Sequence, residues 1–252
     1  MNGLLRKRWR YVGVFGEALM LCAARAEVGP FGQCFWVAWD RREGARYAGR
    51  SFRPGSSEVR LAGPRVEIRS PRLRASLRLS EGRPIEAICP SGSGWGWTRK
   101  RAGIAVEGAV EAEGRRWELA ARGIDDESAG YHERHTSWRW SAGVGRAGDG
   151  RELAWNLVEG INDPPRLSER AIWLEGQPFE PEPVAFDGMR GIGLSDRDRI
   201  AFVPECEHAH DQNLLLVRSR YRLRFGAFSG SLGGGVALAH GLGVMEEHDA
   251  VW

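Results

Sequence analysis

The 252-residue chain carries 36 basic and 33 acidic side chains, and a net charge of only +3 does not mark it as a polyanion-binding protein. Hydrophobic residues make up 42% and charged residues 27%, the balance of an ordinary globular protein. The longest apolar runs, such as ALMLCAA, fall far short of the roughly 20 residues of a membrane-spanning helix, so no integral membrane segment is expected.

The length leaves one large or two modest domains open. The start, MNGLLRKRWRYVGVFG, is basic but lacks an apolar stretch of signal-peptide length before Glu17, and a cytoplasmic protein is expected. Cys22, Cys34, Cys89 and Cys206 have no metal-ligand spacing and read as buried, reduced thiols; neither cofactor nor metal is expected. The basic residues are nearly all arginine, with Lys7 and Lys100 the only lysines, a bias better attributed to base composition than to phosphate binding.

Period-2 alternation dominates the pattern, which predicts a mostly β chain. In RLRASLRL, Leu73, Ala75, Leu77 and Leu79 point one way and Arg72, Arg74, Ser76 and Arg78 the other. CPSGSGWGWTRK follows, with Trp95 and Trp97 at a spacing that lets both line one pocket. RGIDDESAG, residues 122–130, gathers charge and small residues and is the expected break between two β halves, 1–122 and 123–252. Turn signals recur at Arg53-Pro54-Gly55, Glu81-Gly82, Asp149-Gly150, Asp163-Pro164-Pro165, Glu175-Gly176 and Gly233-Gly234-Gly235. Short strands so punctuated predict an antiparallel barrel or sandwich, without an exact internal repeat.

The densest chemistry lies in GYHERHTSWRWSAG, residues 130–143. A two-residue turn at Asp149-Gly150 sets Gly148 opposite Arg151, and that register puts Trp138, Trp140, Ala142 and Val144 on one sheet face with Trp155, Leu157, Glu159 and Ile161. The same face continues to Thr136, Arg134 and His132; Tyr131, Glu133, His135, Ser137 and Arg139 take the other. Desolvation between indoles favours a neutral carboxyl, which makes Glu159 the candidate general acid, unless it closes a salt bridge to Arg134. Asn156, in AWNLVEGINDPP, joins Trp95, Trp97, Thr136, Trp138 and Trp140 as a ligand-binding candidate, and Tyr131 joins the catalytic ones.

Further along, His208 and His210 in PECEHAHDQN share a strand face and can be imagined with Glu205 or His248 around a metal, but surface histidines in a polar loop are the more economical reading. VRSRYRLRF sets Val217, Ser219, Tyr221, Leu223 and Phe225 against Arg218, Arg220, Arg222 and Arg224, an outer face to be matched by acids on adjacent strands. In the acidic tail VMEEHDAVW, Trp252 is expected to dock the last strand.

The stretches KRWRYVGVFG, CPSGSGWGWTRK, GYHERHTSWRWSAGVG, AWNLVEGINDPP, NLLLVRSRY and FGAFSGSLGGGVALAHGLGVMEEHD resemble the uncharacterised bacterial family known as domain of unknown function 2804, over nearly the whole chain. Members usually carry a further segment before KRWRY. That family is similar, more distantly, to double lipocalin-like proteins that include carotenoid hydratases and tocopherol cyclase-like enzymes, which implies an all-β, lipocalin-like barrel or sandwich holding a long apolar ligand. The hydratases carry an Asp-His pair beside a tryptophan where this chain has RHTSW. The resemblance therefore implies His135 in the site, with Arg134 in place of the Asp, so Glu159 or Glu133 would have to supply the proton. The residues favour His132 and the resemblance His135, and both stay candidates.

The resulting expectation is a protein that holds a small apolar, isoprenoid- or lipid-like molecule against a tryptophan wall. The alternative is a cofactor-free enzyme that protonates an alkene, as a hydratase, cyclase or isomerase does. A carbohydrate-binding module would need the tryptophans on an open face. Nucleic-acid binding would need aromatics on the arginine faces, and the alternation places them opposite.

Overall fold

The computed structural model describes residues 5–52, 58–214, 217–233 and 236–251, with the side chains of 214 and 217 left undescribed. The turn signals at Arg53-Pro54-Gly55 and Gly234-Gly235, and the terminal Trp252, lie outside these residues. Among the described residues there is no helix, and none is therefore long and apolar enough to cross a membrane.

The first half contributes β1 (Lys7–Phe15), β2 (Leu19–Val28), β3 (Phe31–Asp40), β4 (Ala45–Ser51), β5 (Val59–Ala62), β6 (Arg65–Arg69), β7 (Arg74–Leu79), β8 (Ile85–Ser91), β9 (Gly94–Ala112) and β10 (Arg115–Tyr131). They form one antiparallel sheet in the order β4-β3-β2-β1-β10-β9-β7-β6-β5, with β8 pairing the start of β9. The second half contributes β11 (His135–Ala147), β12 (Glu152–Glu159), β13 (Ala171–Leu174), β14 (Gln177–Phe179), β15 (Ala185–Phe186), β16 (Gly191–Gly193), β17 (Arg199–Leu214), β18 (Val217–Ser231) and β19 (Ala237–Val251). Its order is β14-β13-β12-β11-β19-β18-β17-β16-β15. In both sheets a four-strand meander is joined through its first strand to the last strand of the same half. The topology repeats although the sequence does not. Residues 122–130 are the hydrogen-bonded interior of β10, and the chain changes sheets only at 132–134.

Each sheet curls into a half-barrel and the two pack together, which leaves three apolar layers. One fills the curl of the first sheet, with Val12, Val14, Leu21 and Trp36; one fills the second, with Trp155, Leu157 and Phe228; the third lies between sheets, with Tyr11, Phe15, Met20, Trp140 and Phe225. Strands at the seam are buried on both faces, so ALMLCAA reads as a continuous apolar run: Leu19 through Ala23 are fully buried. Peripheral strands keep the alternation, and in β7 Ala75, Leu77 and Leu79 are buried while Arg74, Ser76 and Arg78 face solvent. The arginine row of β18 is likewise outward and matched by acids: Arg224 Nε lies 2.6 Å from Glu207, and Arg222 and Arg218 approach Glu207 and Asp249.

The hairpin β11–β12 forms as expected, but one residue out of the expected register. Ala147 N–H donates to the Arg151 carbonyl (2.8 Å) and Gly150 N–H to the Ala147 carbonyl (2.9 Å), with Gly150 at φ 89°. The loop is thus Gly148-Asp149-Gly150, a turn followed by a left-handed glycine, rather than a two-residue turn. Trp140 pairs with Val158, and Glu159 pairs with Arg139. Because side chains alternate, that single step moves Trp155, Leu157 and Glu159 to the face opposite Trp138 and Trp140.

Candidate functional site

A cavity of about 120 Å³ opens in the seam between the sheets. The first sheet supplies Lys7, Trp9 and Tyr11 from β1, Phe35 from β3, Lys100 from β9 and Asp126 from β10. The second supplies Thr136, Trp138 and Trp140 from β11, Tyr221 from β18 and Glu246 and His248 from β19. Rings face one another across it: Trp9 stacks on Trp138 at 6.3 Å and Tyr11 meets Trp140 edge-on at 5.1 Å.

Glu246 is the carboxyl on the tryptophan wall. It sits directly across from Trp140 in β11 and Leu223 in β18 and is 8% exposed. Trp138 Nε1–H donates to one carboxyl oxygen (2.9 Å) and the Tyr221 hydroxyl to the other (2.8 Å). Burial pushes its pKa up to about 7, against the pull of these two neutral donors. A carboxyl poised near neutrality in an aromatic cavity can deliver a proton and take it back.

A second acidic cluster faces the same cavity but is built differently. Lys100, fully buried, lies 2.5 Å from Asp126 and 3.3 Å from Glu169. Glu169 also accepts from Asn162 Nδ2 (2.9 Å), and its loop is pinned by the buried Arg170, which donates to the carbonyls of Asp163 and Pro164 (3.0 and 2.9 Å). Burial raises Asp126 to about 6 in spite of Lys100; burial likewise opposes the charge on Lys100, but the two carboxylates outweigh it and raise its pKa.

Imidazoles line the rest. His248 is buried beside Trp138 (4.4 Å), with Nε2 2.8 Å from Ser219 Oγ, and burial holds its pKa near 3. His132 is 1% exposed and lies against Trp9 at 5.4 Å; burial, reinforced by Lys7, lowers it to about 4. Its ring occupies the space over Gly96, where a Cβ would come within 2.4 Å of the imidazole Cε1. His208 and His210 are not surface loop residues: they lie in β17 facing inward, against Phe35 and Tyr221, and burial lowers both to about 4. Glu205 turns instead to Arg41 and Trp39. Among the described residues no cluster of His, Cys, Asp and Glu is arranged to hold a metal ion.

Of the catalytic and ligand-binding candidates read from the sequence, His132, Thr136, Trp138 and Trp140 reach this cavity. Asn156 is buried just behind it, accepting from Trp140 Nε1 (2.8 Å) and so fixing that indole. Glu159 lies on the other face, 3.2 Å from Arg139 and half-exposed, a consequence of the register. His135 is exposed and paired with Asp249 at 2.8 Å, and Arg134 is exposed. Trp95 and Trp97 do not line the cavity, because β9 turns Gly96, Thr98 and Lys100 inward; Trp95 packs edge-on against Tyr131 on the outer face. Glu246, Asp126 and Lys100 were missed. The signal for Glu246 was present in GVMEEHDAV, where Val244, Glu246, His248 and Ala250 alternate and all are buried.

A pair of curled antiparallel sheets, with a polar-edged aromatic cavity at their seam, defines a lipocalin-like double half-barrel. The chain belongs to the family described as Domain of unknown function (DUF2804), whose model matches residues 50–252. No curated protein matches the sequence significantly. Among solved structures, a protein provisionally designated AttH from Nitrosomonas europaea is similar at 13% identity, covering 98% of this chain and 93% of that one, with a TM-score of 0.66. Kievitone hydratase from Nectria haematococca (9% identity, 96% and 88% coverage, TM-score 0.60) and CghA (10%, 97% and 88%, 0.58) share the same architecture.

Proposed function

We propose that this protein binds a small, largely apolar molecule in the seam cavity and acts on it by cofactor-free proton transfer, with Glu246 as the acid. The observation that carries this reading is the environment of Glu246: buried, held by the neutral donors Trp138 and Tyr221, and raised to about 7. Protonation of an alkene carbon uses the π pair to form the new C–H bond and leaves a cation beside the indoles of Trp138 and Trp140, whose faces stabilise positive charge. Water then adds, or a neighbouring C–H proton is lost, and the proton released restores the Glu246 acid. Hydration or isomerisation follows respectively. The likeness to a structure named as a hydratase supports this reading at the level of architecture.

The test is incubation of isoprenoid and aryl alkenes with the protein in D2O, following deuterium incorporation by mass spectrometry. Glu246→Gln is expected to abolish incorporation while tryptophan quenching by the same alkenes persists. Undiminished incorporation in that variant would remove Glu246 as the acid, and quenching unchanged by Trp140→Ala would move the ligand elsewhere.

A further inference from the structure

Beyond the acid, the cavity has a second polar end, formed by residues with no part in holding Glu246. Lys7 and His132 both line it. Lys7 lies across from Gly130 in β10, and Gly130 lies across from Gly96 in β9, so these positions form one row over which the His132 ring rests. The absence of a side chain at Gly96 is what admits that ring. Neither ring nitrogen of His132 has a hydrogen-bond partner among the described residues, although the side chain is 1% exposed. A buried imidazole without partners is costly, and it marks a position that something bound can complete.

Beside it, the Lys7 ammonium donates to the Glu133 carbonyl at 2.7 Å and is 5% exposed. The Lys7 ammonium brings positive charge to this end, and a neutral imidazole offers one N–H. A cation beside an N–H donor favours an oxygen acceptor there. Trp9 connects this end to the acid: it touches His132 at 5.4 Å and stacks on Trp138 at 6.3 Å, the indole that donates to Glu246.

We infer that the ligand is not a plain hydrocarbon but carries an oxygen acceptor, a carbonyl, carboxylate or enolate, which His132 and Lys7 bind while the apolar skeleton runs along Trp9 and Trp138 toward Glu246. This rests on the seam cavity being the binding site, as proposed above. His132 and Lys7 are the oxygen-recognising pair; Glu246 is the acid.

Three probes of matched shape test it: trans-cinnamic acid, benzalacetone and trans-β-methylstyrene, which end the same styryl skeleton in carboxylate, ketone and methyl. Titration of the unaltered full chain, followed by tryptophan fluorescence and calorimetry, is expected to show at least one oxygen-bearing probe binding five-fold or more tighter than the hydrocarbon. That preference is expected to vanish in His132→Leu and in Lys7→Met, the ratio of affinities between the oxygen-bearing probe and the hydrocarbon falling to about one. Equal affinity for all three in the native protein means that solvent, not ligand, satisfies His132, and overturns the inference while leaving the cavity as a binding site. A preference that survives both variants overturns it as well. Failure of every probe to bind overturns the proposed function and this inference with it. The native comparison needs no variant, so poor folding of either substitution leaves the test intact.

Discussion

The two carboxyl sites facing the seam cavity show how a buried acid is given a role by its neighbours. On the side of β9 and β10, Asp126 and Glu169 share the ammonium of Lys100, the cluster carries charge, and each member depends on the others. On the side of β19, Glu246 has comparable burial but only an indole N–H and a phenol for company. A cation fixes a carboxylate as an ion that braces the fold; neutral donors leave it a proton to give. Burial against the same cavity does not distinguish the two, and partner charge does.

The sharpest way to break this contrast is Lys100→Met. It strands two buried carboxylates, and removing one partner of such a pair typically costs about 3–5 kcal/mol. Urea denaturation should show a loss of that size, partly recovered in the triple variant with Asp126→Asn and Glu169→Gln; a loss under about 1 kcal/mol would mean that the cluster is solvated and not a brace.

Glu246 should behave in the opposite sense. Its folded pKa of about 7 lies above the ordinary glutamate value of 4.5, so the folded state binds the extra proton and stability falls as pH rises through that window, then levels above it. The difference corresponds to about 3 kcal/mol as an upper figure. Glu246→Gln keeps the shape and cannot ionise. It should match the native protein near pH 4.5 and become progressively more stable than it by pH 8 in thermal melts at matched buffers; a constant difference across that range would show that Glu246 is already ionised.

His132 supplies the mirror image. Its folded pKa of about 4 lies below the ordinary histidine value of 6.5, so the unfolded chain binds the proton and stability is lost as pH falls from 6.5 toward 4. His132→Leu should flatten the acid limb by up to about 3 kcal/mol relative to the native protein. An acid limb as steep as before would show that the imidazole is hydrated.

The smallest effects belong to the pairs outside the cavity. Glu159→Gln and His135→Ala each remove one partner of an exposed or half-exposed pair, with Arg139 and Asp249 respectively, and should each change stability by less than about 1 kcal/mol in urea denaturation. A larger loss at Glu159 would place it with Lys100 among the structural ions.

The all-β class, the outward arginine row of β18 and the indole pair Trp138 and Trp140 were legible in the sequence, because alternation along a strand is a local property and one wet face records it. The hairpin β11–β12 was legible too, but its register was not. Asp149-Gly150 serves a two-residue turn and a three-residue turn ending in a left-handed glycine equally well, and only the hydrogen bonds of Ala147 choose between them. That one-residue difference exchanged Glu159 for Glu246 as the carboxyl on the indole face. The inward turn of Gly96, Thr98 and Lys100, which sends Trp95 and Trp97 outside, was equally hidden: the outer face carries the two indoles and the inner one Gly96 and Thr98, so hydrophobicity pointed to the wrong face. What the sequence by itself determined is which residues lie on the same side of each strand. Which of those sides meet was decided by the packing of two sheets whose seam strands are buried on both faces, where composition carries no in-or-out signal, and by pairings such as Trp140 with Glu246 that join residues more than a hundred positions apart.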